Sequence, residues 1–173
     1  MNSFLARVEG RALRIAEIAT GNRDDALDLV QDAMMKLAQS YGHKDEGEWP
    51  PLFHRILQSG IRDWYRRQKV RNRFRSWLGL GNVDGENDPI ANHSDRPSMG
   101  PSSRLEADDF STELEAALTA LPLRQQQAFL LRTWEGFNVA QTAHAMGCSP
   151  GSVKTHYSRA VHSLREQLEE FRA

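Results

Sequence analysis

The stretch GFNVAQTAHAMGCSPGSVKTHYSRAVHSLREQL, residues 136–168, decides how this chain is read. Asn138 and Gln141 stand at the spacing at which two side chains satisfy each other's backbone amides at a helix start. A short helix is therefore predicted from about Val139 to Met146. Gly147 falls where that helix must stop, because glycine accepts the left-handed backbone of a sharp turn. Ser149 then caps a second helix, with Pro150 at its first position. The turn at 147–149 has the length expected of a helix-turn-helix. Ala143 is small where the two helices must approach.

The second helix divides into two faces. Val153, Tyr157, Ala160, Val161 and Leu164 recur at intervals of three and four and are expected to point inward. Gly151, Ser152, Lys154, Thr155, Ser158 and Arg159 are left outside, and no acid joins them before Glu166. Short polar groups with Lys and Arg suit entry into a DNA major groove, whereas acids would repel phosphates and bulky apolar groups would block approach. An ordinary capped amphipathic helix is the plainer alternative. Cys148, inside the turn, fits either a small packing role or a redox role.

Working outward, the region before this motif is also helical. Leu114, Ala117, Leu118 and Leu121 hold helical spacing until Pro122, and a further helix carries Ala128, Phe129, Leu130, Leu131 and Trp134. In the first half, Leu27, Val30, Met34, Leu37 and Tyr41 recur likewise, with Asn22 as N-cap and Asp25 in the favourable first turn. Pro50 and Pro51 open another helix through Leu52, Phe53, Ile56 and Leu57. Strand-like alternation is absent. The fold class expected is all-α: two small helical domains joined by a flexible linker.

The linker is read from composition. Residues 79–110 are rich in Gly, Pro, Ser, Asn and Asp, with seven acids against two arginines. Such a segment buries too little surface to offset its ordering entropy. An inert tether and a specific acidic role fit it equally. The expected division is 1–78, 79–110 and 111–173.

From Arg62 to Arg75 lie seven Arg/Lys and one acid, Asp63, with Trp64, Tyr65 and Phe74 interleaved and Trp77 following. Cations and rings together suit unpaired nucleic acid. Trp64 and Tyr65 equally fit a core beside Ile61.

The totals narrow the class further. The 173 residues are 39% hydrophobic and 26% charged, with net charge −1 and one cysteine, as in a globular protein without an internal disulfide. No apolar run is long enough to span a bilayer, and the N-terminal residues lack a signal peptide's apolar block. No membrane insertion and a cytoplasmic location are expected. The histidines show no metal-ligand spacing, and no phosphate-cradling loop or catalytic constellation is visible. Neither cofactor nor enzymatic activity is expected.

With these motifs in view, the sequence resembles the extracytoplasmic-function group of bacterial sigma-70 factors. DDALDLVQDAMMKLAQSY is similar to the helix with which that family docks on the clamp helices of the polymerase β′ subunit, implying polar docking roles for Asp28, Gln31 and Asp32. LFHRILQSGIRDWYRRQ resembles the segment that melts and captures the −10 element, implying contacts from Ser59, Arg62, Asp63, Trp64, Arg66 and Arg67. The C-terminal block resembles the −35-reading domain, implying contacts from Gly151, Ser152, Lys154, Thr155, His156, Ser158 and Arg159. Two departures stand out. Ser59 replaces a frequent asparagine, and His156 replaces a frequent arginine, which removes a charge unless the ring is protonated. The resemblance implies core RNA polymerase (β′ and β subunits), promoter DNA and an anti-sigma factor as partners. It also implies a linker that threads toward the active-site and RNA-exit channel. A LuxR-type regulator is the rival reading, since VKTH also occurs in that setting. It would require a receiver or ligand-binding domain, which the helical N-terminal block does not resemble.

Overall fold

In the computed structural model, residues 1–79 and 107–170 are described. Helix α1 spans Asn2–Thr20, α2 Arg23–Tyr41 and α3 Trp49–Trp77; α4 spans Ala107–Ala120, α5 Leu123–Thr133, α6 Val139–Met146 and α7 Pro150–Glu170. No strand occurs among the described residues. The linker expectation at 79–110 lies largely outside them, and α4 already begins at Ala107.

Local chemistry sets the boundaries of the first three helices. Gly21 ends α1 in the left-handed conformation (φ 66°), its N–H donating to the Glu17 carbonyl. Asn22 then caps α2, accepting from the Asp25 amide at 3.0 Å. Prolines near the start of α3 fit because the first-turn amides have no intrahelical acceptor. Gly60 does not interrupt α3, which continues through the aromatic pair Trp64 and Tyr65. The α2 stripe differs from the expected one. Ala26, Leu29, Val30, Ala33 and Leu37 are buried there, whereas Leu27, Met34 and Tyr41 lie at the margin. Alanines are buried on both of these contacting helices, Ala26 and Ala33 on α2 and Ala12, Ala16 and Ala19 on α1. Phe53, Leu57 and Ile61 of α3 complete the interior, and the Tyr65 hydroxyl donates to the Ala19 carbonyl at 2.6 Å.

The C-terminal helices build a small core from Ala128, Leu131, Phe137, Ala143, Ala145, Met146 and Val153, which holds the helix-turn-helix together. They also pack on the N-terminal helices. Leu118, Leu121, Leu123, Leu130 and Leu164 join the same buried cluster as Phe4, Ile15, Phe53 and Ile61. The two helical domains are thus in contact with each other through this cluster. Small helical blocks bury a low fraction of their surface alone, so the apolar face of α4 gains by covering α1. Arg14 of α1 also pairs with Glu115 of α4. Past Tyr65, α3 leaves this core. Val70, Phe74 and Trp77 lie exposed among its arginines.

Candidate nucleic-acid interface

The helix-turn-helix forms as its caps dictate. Asn138 Oδ1 accepts from the Gln141 amide at 2.8 Å, and Gln141 Oε1 accepts from the Asn138 amide at 3.0 Å. Gly147 takes φ 63°, and Ser149 Oγ accepts from the Ser152 amide at 3.1 Å. Val153 and Ala160 are fully buried, while Tyr157 stacks on Phe129 with Arg132 over its ring. Cys148 is half-buried and packs against the small core.

This leaves Gly151, Lys154, Thr155, Ser158 and Arg159 exposed on one face of α7. Ser152 is half-buried with its hydroxyl against Ser149 Oγ at 2.9 Å, and the Thr155 hydroxyl donates to the Gly151 carbonyl at 3.1 Å. Burial, then the positive charges of Arg124 and Arg159, push the His156 ring below the ordinary histidine range. His156 is therefore neutral at pH 7. It cannot replace an arginine's charge.

The residues predicted on α3 have a different setting. Asp63, Arg66 and Arg67 are exposed, with Arg66 Nη1 donating to Asp63 Oδ1 at 3.3 Å. Trp64 Nε1 donates to Asp25 Oδ2 on α2 at 3.0 Å, and its ring stands edge-on to Tyr65. Of the two readings of these aromatics, Tyr65 is core, and Trp64 lies half-buried at the core's edge. Ser59 is half-buried. Arg62 is half-buried too, and its Nη1 donates to the Met146 carbonyl at the end of α6, at 3.1 Å. Burial, then Arg124, draw its guanidinium below the usual arginine value; it stays charged.

Several residues at this α3–α6 seam carry no sequence signal of their role. Arg55 Nη1 donates to the His144 carbonyl at 2.9 Å, and Arg124 Nη1 donates to that of Met146 at 3.0 Å. His54, fully buried, places Nε2 3.2 Å from Glu135 Oε2, while Arg11 Nε lies 3.3 Å from Glu135 Oε1. Burial alone would raise the Glu135 carboxyl, but His54 and Arg11 outweigh it and hold the group below the ordinary carboxylate range. The available hint was the polar pair His54 and Gln58, four apart, each adjacent to the apolar series Phe53, Leu57, Ile61.

Asp28, Gln31 and Asp32 are exposed together on α2, with Asp32 paired to Lys36 at 2.7 Å. Met35, one turn on, is also exposed and adds an apolar element the sequence reading missed. Among the described residues no group of His, Cys, Asp or Glu is placed to hold a metal ion, and no helix is long and apolar enough to cross a membrane.

A capped helix-turn-helix, a basic helix and an exposed pair of acids on α2 thus stand on one all-helical chain. Comparison with known proteins places that chain in a family. Sigma-70 region 2 matches residues 1–71, and sigma-70 region 4 matches residues 111–164. The chain is 30% identical to the RNA polymerase sigma-E factor of Streptomyces antibioticus, over 84% of this chain and 71% of that one. It is 28% identical to the ECF RNA polymerase sigma factor SigE of Mycolicibacterium smegmatis, over 91% of this chain and 57% of that one. In fold it is similar to the sigma factor RpoE of Bartonella quintana, solved in complex with the anti-sigma factor NepR (TM-score 0.67, 24% identity, 97% and 96% of the two chains covered). The chain belongs to the sigma-70 family, in its extracytoplasmic-function group. It is a sigma factor, which directs RNA polymerase to promoters; the region 2 match removes the LuxR-type reading.

Proposed function

We propose a division of labour along the chain, with residues 1–78 as the polymerase and −10 domain, 79–110 as the linker and 111–173 as the −35 domain. On α2, Asp28, Gln31 and Asp32 take the clamp helices of β′, with Met35 adding an apolar contact. On α3, Arg62, Asp63, Trp64, Arg66 and Arg67 with Ser59 hold the separated −10 strand. On α7, Lys154, Thr155, Ser158 and Arg159, with Gly151 and Ser152, enter the −35 major groove, and His156 contributes as a neutral donor or acceptor. The observation that carries this reading is the acid-free exposed face of α7 on a fully capped helix-turn-helix. The protein supplies specificity rather than catalysis and works in the cytoplasm, under control of an anti-sigma partner such as the one bound by its structural relative.

The packed arrangement is not the one that reads a promoter. Elements about 25 base pairs apart are separated by roughly 85 Å of B-form DNA, at about 34 Å per ten-base-pair turn. A compact chain of 173 residues has a radius of gyration of about 16 Å, hence a diameter near 40 Å. The two blocks must part before both elements are held.

Size-exclusion chromatography with bacterial core RNA polymerase tests the assignment. The protein is expected to co-elute, and Asp28→Arg to lose the complex while remaining folded by circular dichroism. Wild-type co-elution of the variant would remove Asp28 from the docking surface, and failure of the folded wild type to bind would defeat the whole division.

A further inference from the structure

The C-terminal end of α6 is a ligand already bound within this chain. Its turn closes as a Schellman pair: the Cys148 amide donates to the Ala143 carbonyl at 3.1 Å and the Gly147 amide to that of His144 at 3.2 Å. The Met146 carbonyl is left to side chains, and Arg62 and Arg124 both donate to it; Arg55 adds a second bond to the His144 carbonyl. A helix C-terminus carries roughly half a negative charge on outward-facing carbonyl oxygens. To a guanidinium this resembles a phosphate: oxygen acceptors with negative potential.

We propose that Arg62 has two mutually exclusive ligands, the α6 C-terminus in the closed protein and a DNA-strand phosphate in the open one, so that the α3–α6 seam competes internally with promoter DNA. This rests on the assignment of α3 as the −10 surface. The closed body is too short to hold both promoter elements, so the bond from Arg62 to the Met146 carbonyl must break when the two blocks part.

The seam itself has the character of a contact that opens. Gln58 is fully buried on α3, yet neither its Oε1 nor its Nε2 has a hydrogen-bond partner among the described residues, and His54 Nδ1 shares that condition. Unpaired buried polar atoms weaken a contact. A cleft of ≈ 440 Å³ opens between the two blocks at the N-terminal end of α3, walled by Arg11 and Pro51 on one side and by Glu135 and Phe137 on the other. The −35 face of α7 takes no part. The closed protein therefore displays one DNA-binding face and withholds a key cation of the other.

Two readouts on the full-length chain test this. The first is the rate at which phenylglyoxal modifies Arg62, followed by peptide mass spectrometry. The second is fluorescence anisotropy with a labelled single-stranded dT20. Arg55→Ala, which removes a seam contact outside the assigned DNA set, is expected to expose Arg62 and to tighten dT20 binding about tenfold, as when a state open in one molecule in ten becomes dominant. Gln58→Leu, which replaces an unpaired amide by an apolar group of similar size, is expected to shift both readouts the other way. Equal Arg62 reactivity in wild type and Arg55→Ala, or a rise in reactivity without tighter dT20 binding, would overturn the competition. Arg62→Ala separates the two levels. If it weakens dT20 binding while Arg55→Ala changes nothing, only the competition fails; if it leaves dT20 binding unaltered, the assignment of α3 fails with it.

Discussion

Helices α3 and α7 both carry basic faces, and in sequence the α3 face is much the denser. The structure separates the two in one respect, since Arg66 and Arg67 of α3 are exposed but Arg62 is not. Lys154 and Arg159 on α7 stand in solvent with no acid beside them before Glu166, whereas Arg62 on α3 is half-buried against a carbonyl and Trp64 is tied to Asp25. Charge density shows where a helix meets an anion. It does not show whether the anion is a phosphate or the end of a neighbouring helix.

The strongest way to break this contrast is to reverse charge on each helix in turn. Lys154→Glu with Arg159→Glu should weaken binding of holoenzyme to −35-containing duplex by about 100- to 1,000-fold, as groove contacts are worth roughly 1–3 kcal/mol each. The free protein's radius of gyration by small-angle X-ray scattering should not change. Arg62→Glu should lengthen that radius, because it places a carboxylate against the Met146 carbonyl. If the α7 pair expands the free protein, or if Arg62→Glu leaves it compact, the two faces are not differently employed.

The all-helical class, the caps at Asn22, Asn138 and Ser149 and the turn at Gly147 were legible because each depends on residues within four positions of one another. The exposed set on α7 was legible for the same reason: one helix's periodicity fixes it. The seam was not. Arg55 and His144 are 89 residues apart, and Arg62 and Met146 are 84 apart, so no local pattern records their contact. Glu135 likewise meets His54 and Arg11, both more than 80 positions away in the chain, so nothing near it in sequence records the contact. The α2 stripe was misjudged because alanines carry little hydrophobic signal and yet allow the closest helix approach.

A medium effect should come from Glu135. Its folded-state pKa lies below the unfolded value, so its contribution to stability is fully present above the unfolded carboxylate range and is lost as pH falls through the folded value. Acidification from pH 6 toward pH 3 should therefore loosen the seam. Glu135→Gln should remove part of that pH dependence and cost about 1–3 kcal/mol at pH 7, since Arg11 loses its counter-charge beside a buried group. Urea unfolding across this range measures both. A pH profile identical to wild type would place the acid sensitivity elsewhere.

The smallest expected effect sharpens the α7 side. His156 is half-buried between Arg124 and Arg159, and both its burial and their charges disfavour a proton on the ring. At neutral pH, α7 therefore offers phosphates a lysine and an arginine but no third cation from this position. His156→Arg introduces a side chain long enough to carry its charge past the buried margin into solvent. The logarithm of duplex affinity should then fall more steeply with the logarithm of salt concentration, by about 0.9 for one added phosphate contact. The gain should be visible at low salt and fade as salt rises, while a contact to a base edge would improve affinity with the salt slope unchanged. A slope and affinity both equal to wild type would mean that position 156 faces away from the backbone, and that the outer face of α7 is narrower than its sequence implies.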